Sequence, residues 1–80
     1  MKIADINEIT MYTKTVCPYC VRAKNLLKSK GLEWSELNIE TPEIRESFME
    51  QFPTVRTVPQ ILINGERIGG YQELEALGLE

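Results

Sequence analysis

The feature that most constrains this chain is the sequence Cys17-Pro18-Tyr19-Cys20, which contains both of its cysteines. The preceding run, residues 8–13, is short and rich in β-branched and aromatic residues, as strands are. Pro18 suits the first position of a helix, where a backbone N–H has no intrahelical partner. The cysteines are therefore predicted to lie where a strand passes into a helix, and this indicates an α/β chain.

The spacing of the two cysteines favours redox chemistry over a structural role. A disulfide between residues so close in sequence closes almost no loop and adds little stability. A zinc site needs about four ligands, usually Cys or His, and the chain has two cysteines and no histidine, so we expect no metal. Free cysteines are often small buried apolar side chains, but the strand-to-helix context disfavours that alternative. The pair is typical of a thiol redox site in a reducing compartment.

Cys17 is predicted to be the reactive thiol of the pair. The backbone N–H groups and the dipole of a helix start stabilise a thiolate by about 0.3–2 kcal/mol, and about 1.4 kcal/mol corresponds to one pKa unit. The sequence thus predicts a lowered pKa for the Cys17 thiol, to which Lys14 adds a second favourable charge. Cys20 lies three residues further along the same helix, within bonding reach of Cys17, and is predicted to resolve the intermediate.

The rest of the chain alternates strands and helices. Asn64-Gly65 between two apolar runs is the strongest short signal for a hairpin. Thr41 and Pro42 are typical of the N-cap and first position of a helix, which Pro53 ends. The predicted elements are a strand at 8–13, a helix at 18–30, a strand at 34–39, a helix from 42, strands at 60–63 and 67–68, and a helix at 71–77.

These elements predict an α/β fold in the order β-α-β-α-β-β-α, a four-stranded mixed sheet with three helices. The 80 residues suit one domain, residues 1–80. The net charge of −3 and pI near 5.0 give no general attraction for nucleic acid or anionic lipid, and no stretch approaches about 18 apolar residues. We therefore expect a cytoplasmic protein that binds neither nucleic acid nor membranes.

Four short motifs resemble the signatures of the glutaredoxin family, in the same order and at the family's distances. They are Tyr12-Thr13-Lys14, Cys17-Pro18-Tyr19-Cys20, Thr57-Val58-Pro59-Gln60 and Ile68-Gly69-Gly70. The resemblance covers about residues 8 to 78. It is to the dithiol class of the family. The monothiol class, which often carries iron–sulfur clusters, lacks the second cysteine and the proline.

The resemblance implies a thioredoxin-like fold and a glutathione-dependent oxidoreductase. Its substrates would be protein disulfides and glutathione mixed disulfides, and glutathione would supply the electrons. The implied partners are disulfide-bearing or glutathionylated proteins, with ribonucleotide reductase among those the family suggests. We expect the protein to act as a monomer.

The resemblance also implies a glutathione site beside the cysteines. In the family, the proline that matches Pro59 is cis and faces the cysteines, and the backbone of the preceding residue pairs with the cysteinyl part of glutathione. Val58 would supply those contacts, and Thr57 would line the site. Lys14 and Arg56 are candidates for binding the glycyl carboxylate.

Further residues of the implied site flank these. Tyr19, in the first turn of the helix, would lie beside the bound glutathione. Gly70 permits close backbone approach or a positive φ, and a helix begins after it, so the γ-glutamyl end would dock on the amides of Gly70, Tyr71 and Gln72. Relatives often carry Asp or Ser just after this turn, where this chain has Gln72. The γ-glutamyl amine would therefore pair with Glu73 or have no charged partner.

Two other functions remain open from the sequence. One is a thioredoxin-like electron donor served by a flavoprotein reductase, against which Lys14, Tyr19 and the double glycine argue. The other is a binding module in which two chains share an iron–sulfur cluster through Cys17 and glutathione.

Overall fold

The computed structural model describes residues 1–80 and confirms the predicted order of strands and helices. A short 3₁₀ helix near the amino end was not predicted, because three residues are too few to show a periodic pattern. No helix is both long enough and apolar enough to span a membrane. The elements are a 3₁₀ helix (Ile3–Asp5), β1 (Ile9–Thr13), α1 (Pro18–Ser29), β2 (Ser35–Asn38), α2 (Pro42–Gln51), β3 (Gln60–Ile63), β4 (Glu66–Gly69) and α3 (Tyr71–Ala76).

The four strands form one mixed sheet in the order β2-β1-β3-β4, so β2 and β4 are its edges. β1 and β2 are parallel, as expected for strands joined through a helix, whereas β1 pairs with β3 and β3 with β4 in antiparallel fashion. The β3–β4 turn has φ values of 54° at Asn64 and 82° at Gly65, the left-handed conformation of a two-residue hairpin turn. The Asn-Gly prediction is thus confirmed.

Helices cover both faces of the sheet. α1 and α3 pack on one face, where the core consists of Ile9, Met11, Ala23, Leu27, Ile61, Ile63, Leu74 and Leu79. On the opposite face the ring of Tyr12 lies 4.8 Å from that of Phe48 in α2. Alternate residues of β1 therefore serve two separate apolar layers, which explains why this central strand is almost entirely buried.

Helix α2 begins where the sequence predicts, with Thr41 at the N-cap and Pro42 at the first position. The Thr41 side chain, however, makes no capping hydrogen bond. Only its carbonyl takes part, by accepting from the N–H of Arg45. The start of α2 is therefore set by the fixed φ of proline and by the acidic Glu43 in the first turn.

A bulge in β4 leads the chain from the sheet into α3. Ile61 is opposite Gly69, but Leu62 is opposite Arg67, so β4 carries one extra residue at this point. Gly69 has a φ of 122°, which side-chain-bearing residues rarely adopt. The bulge turns the chain so that α3 begins next to the loop before β3.

Candidate active site

Cys17 is the N-cap residue of α1. The N–H of Cys20 donates to the Cys17 sulfur over 3.1 Å, and the N–H of Val21 donates to the Cys17 carbonyl oxygen. The sulfur therefore accepts a hydrogen bond that a free helix end would leave unmade. This is the position that the sequence predicts for a stabilised thiolate.

Cys17 and Cys20 are joined by a disulfide, with their Cα atoms 5.2 Å apart. Cys17 is 7% exposed and Cys20 is 1% exposed. An incoming sulfur compound therefore meets Cys17 first, while Cys20 lies beneath it in the first turn of α1. No three Cys, His, Asp or Glu side chains of the chain are grouped as a metal site.

The loop before β3 lies against the cysteines. The Val58 carbonyl oxygen is 3.7 Å from the Cys17 sulfur, and the Val58–Pro59 peptide bond is cis, as the resemblance implies. Two segments far apart in sequence thus meet at the Cys17 sulfur.

A cleft of about 290 Å³ opens beside this contact. Its walls come from the start of α1, from the loop before β3 and from the start of α3. Eight of the ten residues predicted to bind glutathione line it: Tyr19, Thr57, Val58, Pro59, Gly70, Tyr71, Gln72 and Glu73.

The two predicted cations, Lys14 and Arg56, do not line this cleft. Arg56 borders a separate hollow against α2, which shares only Thr57 with the cleft. Lys14 lies in the loop before Cys17, near Glu40. Hydrogen bonds from the Thr15 hydroxyl and N–H hold the pKa of Glu40 below its usual value, with a smaller contribution from the charge of Lys14.

Backbone donors without a partner in the protein are available on two sides of the cleft. The Val58 N–H makes no hydrogen bond within the chain, and neither do those of Tyr71 and Gln72. The Gly70 N–H, by contrast, donates to Glu73 Oε1 over 2.7 Å. In this structure the helix uses the Gly70 N–H for its own cap, so of the three amides predicted to bind the γ-glutamyl end only those of Tyr71 and Gln72 have no partner.

Gly70 is nevertheless a position that suits glycine. Its φ is −95°, so a positive φ is not the reason. A Cβ at this residue would lie 3.2 Å from the Pro59 carbonyl oxygen. Of the two reasons predicted for a glycine at position 70, close backbone approach therefore applies. The positive φ occurs instead at the preceding residue, Gly69.

Two tyrosines form an aromatic wall of the cleft. The rings of Tyr19 and Tyr71 are 6.1 Å apart, and the guanidinium of Arg22 lies 5.2 Å from the centre of the Tyr19 ring. The Tyr71 hydroxyl donates to Glu75, which raises the pKa of Tyr71. This wall is half open to solvent at Tyr19.

One residue of the site was missed at the level of sequence. Gln60 is 4% exposed, and its Nε2 donates to the Thr57 carbonyl oxygen over 3.0 Å and to the Thr57 hydroxyl over 3.2 Å. The available signal was a polar residue at the start of the apolar strand β3. Buried polar groups are hydrogen-bonded, so Gln60 needed partners that the strand itself does not supply.

Comparison with known proteins agrees with this geometry. The glutaredoxin family model matches residues 9–68. Glutaredoxin 3 of Escherichia coli strain K12 is 45% identical over 69 residues, which are 86% of this chain and 83% of that protein. Glutaredoxin of Pseudomonas aeruginosa is 40% identical over 70 residues, 86% of this chain and 82% of that protein.

Solved structures are similar over most of the chain. Glutaredoxin 1 of Francisella tularensis, complexed with cacodylate, superposes with a TM-score of 0.76 at 33% identity and covers 89% of this chain and 91% of that one. A buckwheat glutaredoxin–glutathione complex superposes with a TM-score of 0.76 at 26% identity, covering 90% of this chain and 68% of that one.

Proposed function

The chain belongs to the glutaredoxin family of glutathione-dependent thiol oxidoreductases, and from this we propose that Cys17 is its attacking thiol and Cys20 its resolving thiol. The observation that carries the proposal is the position of Cys17. It lies at the amino end of α1, more exposed than Cys20, beside the cleft. A thiolate there has the stabilisation and the access that disulfide exchange requires.

For a glutathione mixed disulfide, the reaction uses Cys17 alone. The Cys17 thiolate attacks the glutathionyl sulfur, so that a new Cys17–glutathione disulfide forms and the substrate leaves as a thiolate that takes up a proton. A second glutathione, as thiolate, then attacks the glutathionyl sulfur. Glutathione disulfide forms and the Cys17 thiolate is released.

For a protein disulfide, Cys20 completes the reaction. Cys17 attacks one substrate sulfur, and the other substrate sulfur leaves and takes a proton. The Cys20 thiol then loses its proton and attacks Cys17, which releases the substrate as a dithiol and forms the Cys17–Cys20 disulfide seen here. Two glutathione molecules restore both thiols and leave as glutathione disulfide.

Three sets of protein groups form the proposed glutathione site. The Val58 N–H faces no protein partner and is assigned to the cysteinyl part of the ligand. The free amides of Tyr71 and Gln72 are assigned to the γ-glutamyl carboxylate, which an α-helix start favours. Lys14 and Arg56 lie outside the cleft walls and are assigned to longer-range attraction of the glycyl carboxylate.

The protein is proposed to act as a monomer. Its targets are proposed to be disulfide-bearing and glutathionylated proteins, ribonucleotide reductase included, in the cytoplasm. The support for these targets and for the compartment is the family and its redox chemistry in reducing compartments.

The direct test is reduction of a small glutathione mixed disulfide, with glutathione, glutathione reductase and NADPH recycling the protein. We expect turnover that depends on glutathione. A parallel reaction with thioredoxin reductase in place of glutathione tests the alternative electron donor. Turnover only in the second reaction would contradict the proposal.

Selective alkylation tests the roles of the cysteines. In the reduced protein near pH 6, we expect iodoacetamide to modify Cys17 about tenfold faster than Cys20, because Cys17 is the helix N-cap and the more exposed sulfur. Mass spectrometry of the digested protein locates the label. Faster labelling of Cys20 would reverse the assignment.

A substitution at Gln72 measures how far side-chain charge contributes to glutathione recognition. We expect Gln72→Asp to raise kcat/KM for a glutathione mixed disulfide by less than about fivefold, because an exposed ion pair contributes only about 0–1 kcal/mol. Hydrogen bonds from backbone amides to a charged group contribute about 1.5–3 kcal/mol each and should dominate. Steady-state kinetics at low and high salt check this, since a surface pair weakens as ionic strength rises.

Glu73→Gln is the companion variant. Glutamine keeps an oxygen that can accept from the Gly70 N–H and removes only the charge. A similarly small fall in kcat/KM is expected. A hundredfold gain for Gln72→Asp would instead show that charge dominates and that the native chain binds glutathione poorly.

A further inference from the structure

We propose that Gln60 is a positioning residue for glutathione, whose buried amide holds the Thr57–Val58 peptide unit in the orientation that presents the Val58 N–H to the ligand. The inference rests on the proposed glutathione site. It adds a residue that touches neither the ligand nor the cysteines.

The first step concerns the two hydrogen bonds from the Gln60 side chain to Thr57. Gln60 Nε2 has two hydrogens, and it lies 3.0 Å from the Thr57 carbonyl oxygen and 3.2 Å from the Thr57 hydroxyl oxygen. Both bonds therefore go to one residue. Gln60 is 4% exposed whereas Thr57 is exposed, so losing these bonds would leave the buried amide of Gln60 unpaired.

The second step is the choice between the two orientations of the amide. Arg67 Nη1 donates to Gln60 Oε1 over 3.0 Å. A guanidinium has no acceptor, so this contact requires the oxygen of Gln60 to face β4 and the NH₂ group to face Thr57. Arg67 also lies 5.6 Å from the centre of the Phe52 ring, which anchors its side chain from a second direction.

The third step is the rigidity of the peptide group. The Thr57 carbonyl and the Val58 N–H belong to the same planar unit, in which they point in opposite directions. A hydrogen bond that fixes the carbonyl therefore fixes the N–H as well. The Val58 N–H has no partner in the protein, and Val58 lines the cleft, so its direction matters to a ligand and not to the fold.

The Thr57 hydroxyl is oriented by the same contact. Because its oxygen accepts from Gln60, its own hydrogen is free to point elsewhere, and Thr57 lines the cleft. One buried amide thus fixes the direction of the Val58 N–H and leaves the Thr57 hydroxyl hydrogen available to a ligand.

The test compares Gln60→Glu with the wild type in the glutathione mixed-disulfide assay. The carboxylate keeps the shape and the Arg67 contact but cannot donate to Thr57 at neutral pH. We expect KM for the mixed disulfide to rise about tenfold, in line with the loss of one or two hydrogen bonds to the ligand, while the rate of Cys17 alkylation changes less than twofold. Gln51→Glu, on the exposed end of α2, is the control for the added charge.

Variants at Arg67 provide a second measurement if Gln60→Glu folds poorly. Arg67 is exposed, so Arg67→Met should fold, and release of the Gln60 oxygen should raise KM about two- to threefold. Arg67→Lys, which keeps a donor for that oxygen, should recover most of the wild-type KM. Thermal unfolding of every variant separates this change from loss of structure.

An unchanged KM in both Gln60→Glu and Arg67→Met, with an active wild type, would overturn the inference. So would a fall in kcat and in Cys17 alkylation with KM unchanged, since that pattern places Gln60 in the thiol chemistry. Absence of glutathione-dependent turnover in the wild type would contradict the proposed function itself, which distinguishes the two failures.

Discussion

Cys17→Ser is expected to lower turnover of both protein disulfides and glutathione mixed disulfides by at least about 1000-fold, because a serine hydroxyl is not ionised at neutral pH and cannot form the covalent sulfur intermediate. The coupled assay with glutathione reductase and NADPH measures the loss. Serine is close to cysteine in size and is a preferred N-cap residue, and its hydroxyl oxygen can accept from the N–H of Cys20 as the sulfur does, so the variant should keep its fold. Thermal unfolding of the reduced proteins checks this.

Cys20→Ser is the matched control for that prediction. Attack by Cys17 and release by a second glutathione never use the resolving thiol, so mixed-disulfide turnover should persist. Reduction of a protein disulfide should instead fall, because no intramolecular thiol is left to release the substrate. Complete loss of mixed-disulfide turnover in Cys20→Ser would contradict the proposed division of labour.

Gly69→Ala is expected to destabilise the fold by about 2–4 kcal/mol, since it combines backbone strain with a collision. The φ of 122° is unfavourable for alanine, and the added Cβ would lie 2.7 Å from both Cγ and Oε1 of Glu73. Glu73 would have to release the Gly70 N–H, so the start of α3 would lose its cap as well. Urea unfolding followed by circular dichroism measures the change in the free energy of unfolding.

Gly31→Ala is the control for a positive φ without a collision. Gly31 also has a positive φ, 73°, but no atom lies within 4 Å of the position of an added Cβ. Strain alone should cost about 1–2 kcal/mol there. Equal losses in Gly31→Ala and Gly69→Ala would show that the contact with Glu73 is unimportant.

The secondary structure and the central chemistry were predictable because their signals are local. Pro18 behind a strand marks the start of α1, and Asn64-Gly65 marks the hairpin; both act through their own backbone preferences. The position of Cys17 at the N-cap, on which its proposed role rests, follows from the helix start alone. Local physical chemistry therefore determines much of what surrounds the sulfur.

The remaining parts of the site depend on contacts between distant segments. The bulge in β4, which leads the chain into α3 beside the loop before β3, is marked by no residue pattern. The pairing of Gln60 with Arg67 depends on the register between β3 and β4. The positions of Lys14 and Arg56 outside the cleft could not be inferred either, since sequence proximity to Cys17 or Thr57 does not say which way a long side chain extends.

The two edge strands of the sheet affect whether copies of this chain aggregate at high concentration. Each edge strand has four residues and carries charge: β2 contains Glu36, which is ion-paired with Lys24 over 2.7 Å, and β4 contains Glu66 and Arg67. A second chain that extended the sheet would have to desolvate these charges for only a few backbone hydrogen bonds. Both edges therefore oppose intermolecular strand pairing, and the apolar strands β1 and β3 are shielded between them from the cross-β association that leads to fibrils.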